Sequence, residues 1–293
     1  MPRFNQRPPT DVPWRLRPTA GHSKPYRKRP PSPADYGSQV TGIGAASVVA
    51  LAGVAAGTMN TVVGSGTLIT FPVLLSLGVP PVTANVSNTI GLVPGTFSGA
   101  WGYRRELAGQ RDRLLRLGSA SLIGGIAGAL LLLVLPAGVF RAVVPVLILL
   151  AVALVIAQPR LSRRFVGQAH HTSHGRHPAL LWALVLLTGV YGGYFGAAQG
   201  VLLVAIMGAL LDSNLQRVNG LKNVLSGVVN AVAGLLFVLL SDPNWVYVAL
   251  IAIGSTIGGQ LGAVVGRRLS PVVLRAVIVV VGLAALTKFL FFS

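Results

Sequence analysis

The sequence contains no cysteine, and only six of its 293 residues are acidic. Without cysteine the chain forms neither disulfide bonds nor cysteine-ligated metal sites. The six acids lie in the N-terminal region, in loops or at the ends of apolar segments, at Asp11, Asp35, Glu106, Asp112, Asp212 and Asp242. Coupling to protons or sodium ions through a carboxylate inside the membrane is therefore not expected.

Charged residues of both signs are scarce as well, because they make up 10% of the chain against 53% hydrophobic residues. A water-soluble domain of this length could not keep that composition, so we expect an integral membrane protein. Runs such as 130–135 and 277–281 are apolar at every position, whereas the strands of a transmembrane β-barrel alternate. The predicted class is an all-α, polytopic bundle of transmembrane helices.

Eight apolar segments are long enough to cross about 30 Å of hydrocarbon, which takes about 20 helical residues. They lie near 40–62, 82–103, 115–135, 139–158, 179–198, 218–240, 245–265 and 271–292. Two shorter apolar runs extend from Thr67 to Leu77 and from Val201 to Leu211. As a helix, a run of about 11 residues measures about 16 Å, which is roughly half of the hydrocarbon thickness.

The apolar part repeats itself, without a gap, when the numbering is shifted by 134. Identical residues coincide along its whole length: Gly66 with Gly200, Leu68 with Leu202, Asn85 with Asn219, Ser121 with Ser255, and Arg141 with Arg275. The two copies are predicted to be residues 37–158 and 179–293. Duplication with short, glycine-flanked segments at matching places is typical of secondary transporters, whose site lies at the repeat interface.

Two polar stretches lie outside the copies. Residues 1–36 are predicted to be a disordered basic tail, and 159–178 a His- and Arg-rich linker. The net charge of +18 sits mainly in these stretches and in loops, which favours contact with anionic lipid headgroups over nucleic acid. The alternative for the tail is docking of a partner protein. The histidines of 170–177 have no nearby acid or cysteine, so we predict no metal site there.

Charges in equivalent loops predict that the two copies are inverted. The loop 104–116 carries five arginines, whereas its counterpart 238–250 carries none; the turn 136–140 is uncharged, whereas 266–270 carries two arginines. Basic loops are cytoplasmic, so equivalent loops face opposite sides. Each copy must then cross an odd number of times, and its opening pair of long and short segments must make no net crossing. This assignment places the basic tail outside.

Each short run follows a glycine-rich break. Irregular backbone at membrane depth is tolerated where it lines a polar cavity or is covered by protein, and the helix that follows offers free amides to an anion. The candidate binding residues are Asn60, Gly64, Ser65, Gly66 and Thr67 in the first break, and Gly196, Gln199 and Gly200 in the second. The alternative is that these glycines only permit close helix packing.

A stripe of polar residues at helical spacing follows each break. It comprises Asn85, Asn88 and Thr89, followed by Thr96, in the first copy, and Asn219, Lys222, Asn223 and Asn230 in the second. Such side chains face a bundle interior or a water-filled path. For Lys222 the alternative is snorkelling to the headgroups, and for the asparagines it is interhelical hydrogen bonding. An enzyme is not expected, because the serine in Gly64-Ser65-Gly66 has no histidine in any span to activate it.

These stretches resemble the TauE/SafE family of membrane transporters, often described as sulfite exporters. The matching residues are 57–66 followed by 72–81, then 84–89 and 94–95 to 102–105, and in the second copy 191–200, 218–223 and Asn230. The resemblance covers residues 40–292 and implies transport of small sulfur-containing anions such as sulfite, sulfonates or thiosulfate across the plasma membrane, without a prosthetic group. Gly64-Ser65-Gly66-Thr67 is poorer in glycine than the family pattern, and Gln199 interrupts the second glycine cluster.

The sequence therefore predicts a multi-pass transporter of small anions in the cell membrane. Two alternatives stay open. One is a passive anion channel, and the other is a membrane scaffold that recruits partners through its basic tail. The oligomeric state is not indicated.

Overall fold

The computed structural model describes residues 43–168, 178–211, 214–264 and 271–292, and every regular element in them is helical. The helices are α1 Ile43–Val62, α2 Thr67–Ser76, α3 Pro81–Gly102, α4 Arg111–Val134, α5 Ala137–Gln168, α6 Pro178–Tyr194, α7 Gln199–Leu210, α8 Leu215–Leu240, α9 Trp245–Val264 and α10 Pro271–Phe292. The same shift in numbering maps the first residues of α3, α4 and α5 onto those of α8, α9 and α10. These three helices of each copy therefore begin at equivalent positions of the duplicated sequence.

Five of the described helices are both long and apolar enough to cross a membrane: α1, α4, residues 137–160 of α5, α8 and α9. This confirms the polytopic helical class. Helix α3 has 22 residues, but its asparagines and threonines make it more polar than these five. Helix α6 ends at Tyr194 after 17 residues, because the second glycine break interrupts the segment that we predicted to run to residue 198. The short runs are helices α2 and α7, with 10 and 12 residues.

Helix α9 of the second copy packs between α1 and α3 of the first. Glycines allow backbone contact along the whole α1–α9 interface: a Cβ at Gly57 would lie 2.2 Å from the Ser255 carbonyl oxygen, and one at Gly258 would lie 2.0 Å from that of Val54. The residue numbers in contact rise together along both helices, from Gly53 against Ile251 to Gly262 against Thr61. Helices α1 and α9 therefore run parallel. The small residues at their interface allow the two backbones to approach closely.

The equivalent packing occurs with the copies exchanged: α4 of the first copy packs between α6 and α8 of the second. A Cβ at Gly124 would lie 2.3 Å from the Leu186 carbonyl oxygen, and one at Gly128 would lie 2.0 Å from that of Val190. Equivalent helices thus exchange partners between the copies. The two copies form one intertwined body.

Helices α3 and α8, which are equivalent by sequence, pack against each other in opposite directions. Residues Gly220, Gly227 and Gly234 of α8 face Tyr103, Phe97 and Val93, respectively, so one number rises as the other falls. Near the middle, Asn230 Nδ2 donates to Thr96 Oγ1 at 3.3 Å, and these residues are 134 apart. The axis that relates the copies therefore passes close to this pair, across the helices.

Helices α1 and α3 run parallel, because both run parallel to α9. Gly91, Gly95 and Gly102 of α3 face Ile251, Ser255 and Ala263 in ascending order. The short helix α2 joins α1 to α3 and must therefore run back.

Buried aromatic rings pack beside the breaks. Phe71 of α2 meets Phe195 edge to face, with centroids 5.2 Å apart. Phe140 of α5 contacts both Tyr194 and Phe195. These contacts tie the first copy's short helix and last helix to the second break.

The predicted boundaries at the polar stretches are partly outside the described residues. The tail, 1–36, lies wholly outside them. Helix α5 continues through Gln168, past the predicted linker boundary at residue 158, while 169–177, with the histidines, are not described.

Candidate functional site

The two glycine breaks meet at the interface between the copies. Gly64 has φ of +88°, and a Cβ there would lie 2.4 Å from the Cα of Gly200. The amide of Gly200 donates to the carbonyl of Gly64 at 3.0 Å. Only glycine suits a positive φ and so close an approach, which explains the glycines at both positions.

The first break presents unused donors at the start of α2. The amides of Leu68 and Ile69 bond back to Ser65 and Gly66, whereas those of Gly66 and Thr67 have no acceptor among the described residues. Ser65 is 1% exposed, and its hydroxyl has no hydrogen-bond partner in the described part of the chain. Buried hydroxyls normally have a partner, so Ser65 leaves a polar group free at the first break.

In the second break, unlike the first, the backbone amides at the start of the short helix have hydrogen-bond acceptors. Residues Gly196 and Ala198 adopt left-handed conformations, with φ of +77° and +59°, and Ala198 immediately precedes α7. The first amides of α7 bond to nearby carbonyls and to Gly64. Its free donor is instead a side chain: Gln199 is buried, packs against Gly192, and its Nε2 has no partner among the residues that the structure describes.

Lys222 of α8 is fully buried between the copies. Its ammonium group donates to the carbonyl oxygens of Asn60 at 2.9 Å and Thr61 at 2.8 Å, at the end of α1. Its Cδ lies 3.0 Å from where a Cβ of Gly200 would be. This geometry excludes the snorkelling alternative, because the side chain reaches the breaks and not the membrane surface. Asn223 donates to the same Thr61 carbonyl at 3.4 Å.

A related contact occurs in the other direction. Asn85 of α3 donates to the carbonyl of Tyr194 at 3.0 Å, at the end of α6. Tyr194 is the residue of the second copy that is equivalent to Asn60. Each long polar helix therefore binds the carbonyl end of the broken helix in the other copy, with an uncharged donor in one case and a lysine in the other.

The other asparagines take part in two separate sets of hydrogen bonds. Asn88 donates to Thr67 Oγ1 at 3.2 Å and accepts from Thr70, which fixes the start of α2. Asn60 Nδ2, at 2.9 Å, and Asn230 Nδ2 both donate to Thr96. Interhelical hydrogen bonding, the alternative for the asparagines, therefore accounts for these pairs.

Two stripe residues stand apart. The Thr89 hydroxyl bonds to its own helix at Asn85. Asn219 is half-buried one turn before Lys222 and makes no side-chain hydrogen bond to any described residue.

The sequence reasoning missed three residues near the breaks. The Thr61 carbonyl accepts from Lys222, and its own hydroxyl is buried without a partner in the described ranges. Ser226, one turn beyond Lys222, has a buried hydroxyl in the same state, and Thr70 bonds to Asn88. Threonine and serine hydroxyls commonly bond within their own helix, so helical spacing alone did not mark these.

The region as a whole is rich in donors, and Lys222 brings a basic amine into it. No carboxylate among the described residues lies within salt-bridge distance of Lys222, and two carbonyls use two of its three donors. Amides at the start of α2, the Ser65 hydroxyl and the Gln199 amide add donors on either side of the Gly64–Gly200 contact. Such an arrangement can bind an anion.

Comparison with known proteins places these features in a family. The model of the family described as "Sulfite exporter TauE/SafE" matches residues 49–289. The chain is similar to the "Probable membrane transporter protein YfcA" of Escherichia coli K12, with 25% identity over 81% of this chain and 87% of that protein. It is equally similar to a "Probable membrane transporter protein" of Haemophilus influenzae, at 25% identity over 85% of this chain and 96% of the relative.

A third relative, "Probable membrane transporter protein ORF9" of a Sinorhizobium species, is 25% identical over 80% of this chain and 88% of the relative. No solved structure shows significant similarity to the chain. The match of the family model spans both copies, both breaks and both polar stripes. The chain therefore belongs to the TauE/SafE family and is a multi-pass membrane transporter of the plasma membrane.

Proposed function

We propose that this transporter moves small sulfur-containing oxyanions, such as sulfite, a sulfonate or thiosulfate, and binds them where the two glycine breaks meet. The observation that carries this proposal is the ammonium group of Lys222, fully buried with carbonyl oxygens as its hydrogen-bond partners. A buried charge is costly unless an opposite charge or strong hydrogen bonds compensate it. An anion beside Lys222 would supply the missing negative charge.

The donors around the breaks favour an anion with several acceptor oxygens. Among the described residues near the breaks, the unpaired donors are Ser65, Gln199 and the amides of Gly66 and Thr67, besides the hydroxyls of Thr61 and Ser226. The unpaired atom that can only accept a hydrogen bond is Asn85 Oδ1. Oxyanions of sulfur present two or three oxygens to such a set. The description of the family as sulfite exporters supports the choice of sulfur over carboxylate anions.

We assign the candidate residues to two roles. Ser65, Gly66, Thr67, Gln199 and Lys222 would contact the anion. Gly64, Gly196 and Gly200 would permit the close approach of the breaks, while the hydrogen-bonded asparagines Asn60, Asn85, Asn88, Asn223 and Asn230 would hold the surrounding helices. Thr89 and Asn219 would line the approach to this region.

We further infer that the two copies are inverted in the membrane. Helices α3 and α8 are equivalent yet antiparallel, and their self-equivalent contact Thr96–Asn230 requires an axis across the helices. For helices that cross a bilayer, such an axis lies in the membrane plane. Inverted copies can alternate access by rocking about a shared central site.

Flux measurements in proteoliposomes test the proposed substrate class. We expect saturable transport of at least one sulfur oxyanion, with much weaker transport of acetate. Equal, non-saturable flux of all small anions together with unitary currents would instead support a channel. An absence of anion flux in protein that is folded and inserted would reject the proposal.

A further inference from the structure

The end of the bundle formed by the α3–α4 connection carries a cluster of arginines. Arg104, Arg105, Arg111 and Arg116 are exposed. The acids of this connection are Glu106 and Asp112. The surface is therefore strongly positive.

These arginines continue the apolar outer surface of the bundle. On α4, Arg111 is followed on the same face by Leu115 and Leu122, one turn and three turns further along the helix. Leu115 is 65% exposed and Leu122 44%. In a membrane-spanning helix such exposed apolar side chains face lipid. Arg111 therefore stands at the polar edge of a lipid-facing stripe, at the level of the headgroups.

An aromatic residue marks the same boundary on α3, the preceding helix in the chain. Trp101, at the end of α3, is 65% exposed, and the Arg104 guanidinium lies 5.3 Å from the centre of its ring. Tryptophan is enriched at the interface between hydrocarbon and headgroups. Two helices that follow each other in the chain therefore present aromatic or aliphatic groups to lipid chains, and guanidinium groups to lipid headgroups, at the same end of the bundle.

The other end of the bundle lacks this combination in its described residues. The connection between α8 and α9, equivalent by the repeat, carries Asp242 and no arginine. Arg141, near the start of α5, is an exposed arginine at that end. The asymmetry indicates a function of one membrane face.

We propose that Trp101, Arg104, Arg105, Arg111 and Arg116 form a binding surface for the headgroup of an anionic phospholipid in the cytoplasmic leaflet. Guanidinium groups bind phosphate through paired hydrogen bonds, and the adjoining apolar stripe accommodates the acyl chains. This surface is independent of the proposed transport site, because it involves neither the breaks nor Lys222.

Lipid binding to purified protein in detergent tests this surface, with phosphatidylglycerol as the probe and phosphatidylcholine as the reference. We expect the wild type to bind phosphatidylglycerol more tightly, and the preference to fall at high salt as exposed charges are screened. In the variant Arg111→Gln/Arg116→Gln the affinity for phosphatidylglycerol should fall by about fivefold per arginine removed. The matched control Arg141→Gln, at the opposite end, should bind like the wild type.

Three results would overturn this assignment. The first is equal binding of both lipids by the wild type, and the second is unchanged binding by the double variant. The third is displacement of phosphatidylglycerol by inorganic phosphate alone at equal concentration, which would show a site for free anions. Circular dichroism and gel filtration confirm that the variants are folded, and neither arginine's side chain bonds to a described residue.

Discussion

At the residue scale, the two copies place different donors at equivalent positions. Asn88 and Lys222 coincide in the repeat, yet Asn88 holds the start of α2, whereas Lys222 reaches across to the end of α1. The repeat paired these residues in sequence but could not give their contacts, which depend on side-chain length. The free backbone amides lie in the first copy and the positive charge in the second, so both copies contribute donors.

Replacing Ser65 by alanine should weaken anion transport without harming the fold. Its buried hydroxyl has no partner among the described residues, so its removal leaves nothing unpaired, whereas a bound anion loses one hydrogen bond. Hydrogen bonds to charged groups contribute about 1.5–3 kcal/mol, so the half-saturating concentration in proteoliposomes should rise about tenfold or more. Ser121→Ala is the matched control, since Ser121 is another buried, unpaired serine of the described chain outside the breaks. An equal effect in both variants would contradict the assigned role.

Replacing Lys222 separates its charge from its hydrogen bonds. Lys222→Gln keeps a donor for one carbonyl of α1, whereas Lys222→Met keeps none. We expect Lys222→Met to lower the melting temperature more than Lys222→Gln, because buried carbonyls lose their partners. Both variants should lose anion binding, measured by anion-dependent thermal stabilisation. Wild-type anion binding by Lys222→Gln would show that the charge is not used.

At the scale of helices, the sequence predicted the elements well and their partners poorly. Apolar length marked the segments, and the glycine breaks marked where α1 and α6 end. The exchange of α4 and α9 between the copies was not predicted, because glycines such as Gly57 and Gly128 indicate that a helix packs closely, not which helix it meets. The contact between Gly64 and Gly200 depends on that exchange.

Replacing Gly64 by alanine should disrupt the backbone contact between the two breaks. The residue has a positive φ, and the added Cβ would overlap the backbone of Gly200. Left-handed strain and overpacking each cost about 1–3 kcal/mol, so we expect a clear fall in melting temperature and loss of transport. Gly208→Ala in α7 is the control, because no described atom lies within 4 Å of its Cβ position. Equal melting temperatures for the two variants would show that the close contact is absent.

At the scale of the whole molecule, the charges in the loops and the directions of the helices both favour the proposed inversion of the two copies. The arginine-rich connection 103–110 and the start of α8 lie at one end, where Gln110 Nε2 reaches the Arg217 carbonyl at 3.5 Å. Loop charge alone predicted that equivalent loops face opposite sides. The antiparallel packing of α3 and α8 supplies an independent reason, and it could not be read from composition.

The absence of cysteine makes this arrangement directly testable. Ala108 and Asp242 are equivalent by the repeat, and both are exposed in connections. Single cysteines at these positions, Ala108→Cys and Asp242→Cys, should react with a membrane-impermeant maleimide from opposite sides. We expect Ala108→Cys to be labelled only from the cytoplasm and Asp242→Cys only from outside in intact cells. Labelling of both from one side would contradict inverted copies.

The central claim is that an anion binds at the meeting point of the breaks, and anion-dependent thermal stabilisation of the purified wild type tests it most directly. A ligand that binds only the folded state raises the apparent melting temperature as its concentration exceeds its dissociation constant. Across sulfite, sulfonates, thiosulfate, acetate and chloride at matched ionic strength, we predict stabilisation by a sulfur oxyanion that Ser65→Ala weakens and Ser121→Ala leaves unchanged. Stabilisation by none of the sulfur oxyanions, or stabilisation that Ser65→Ala leaves intact, would contradict the account.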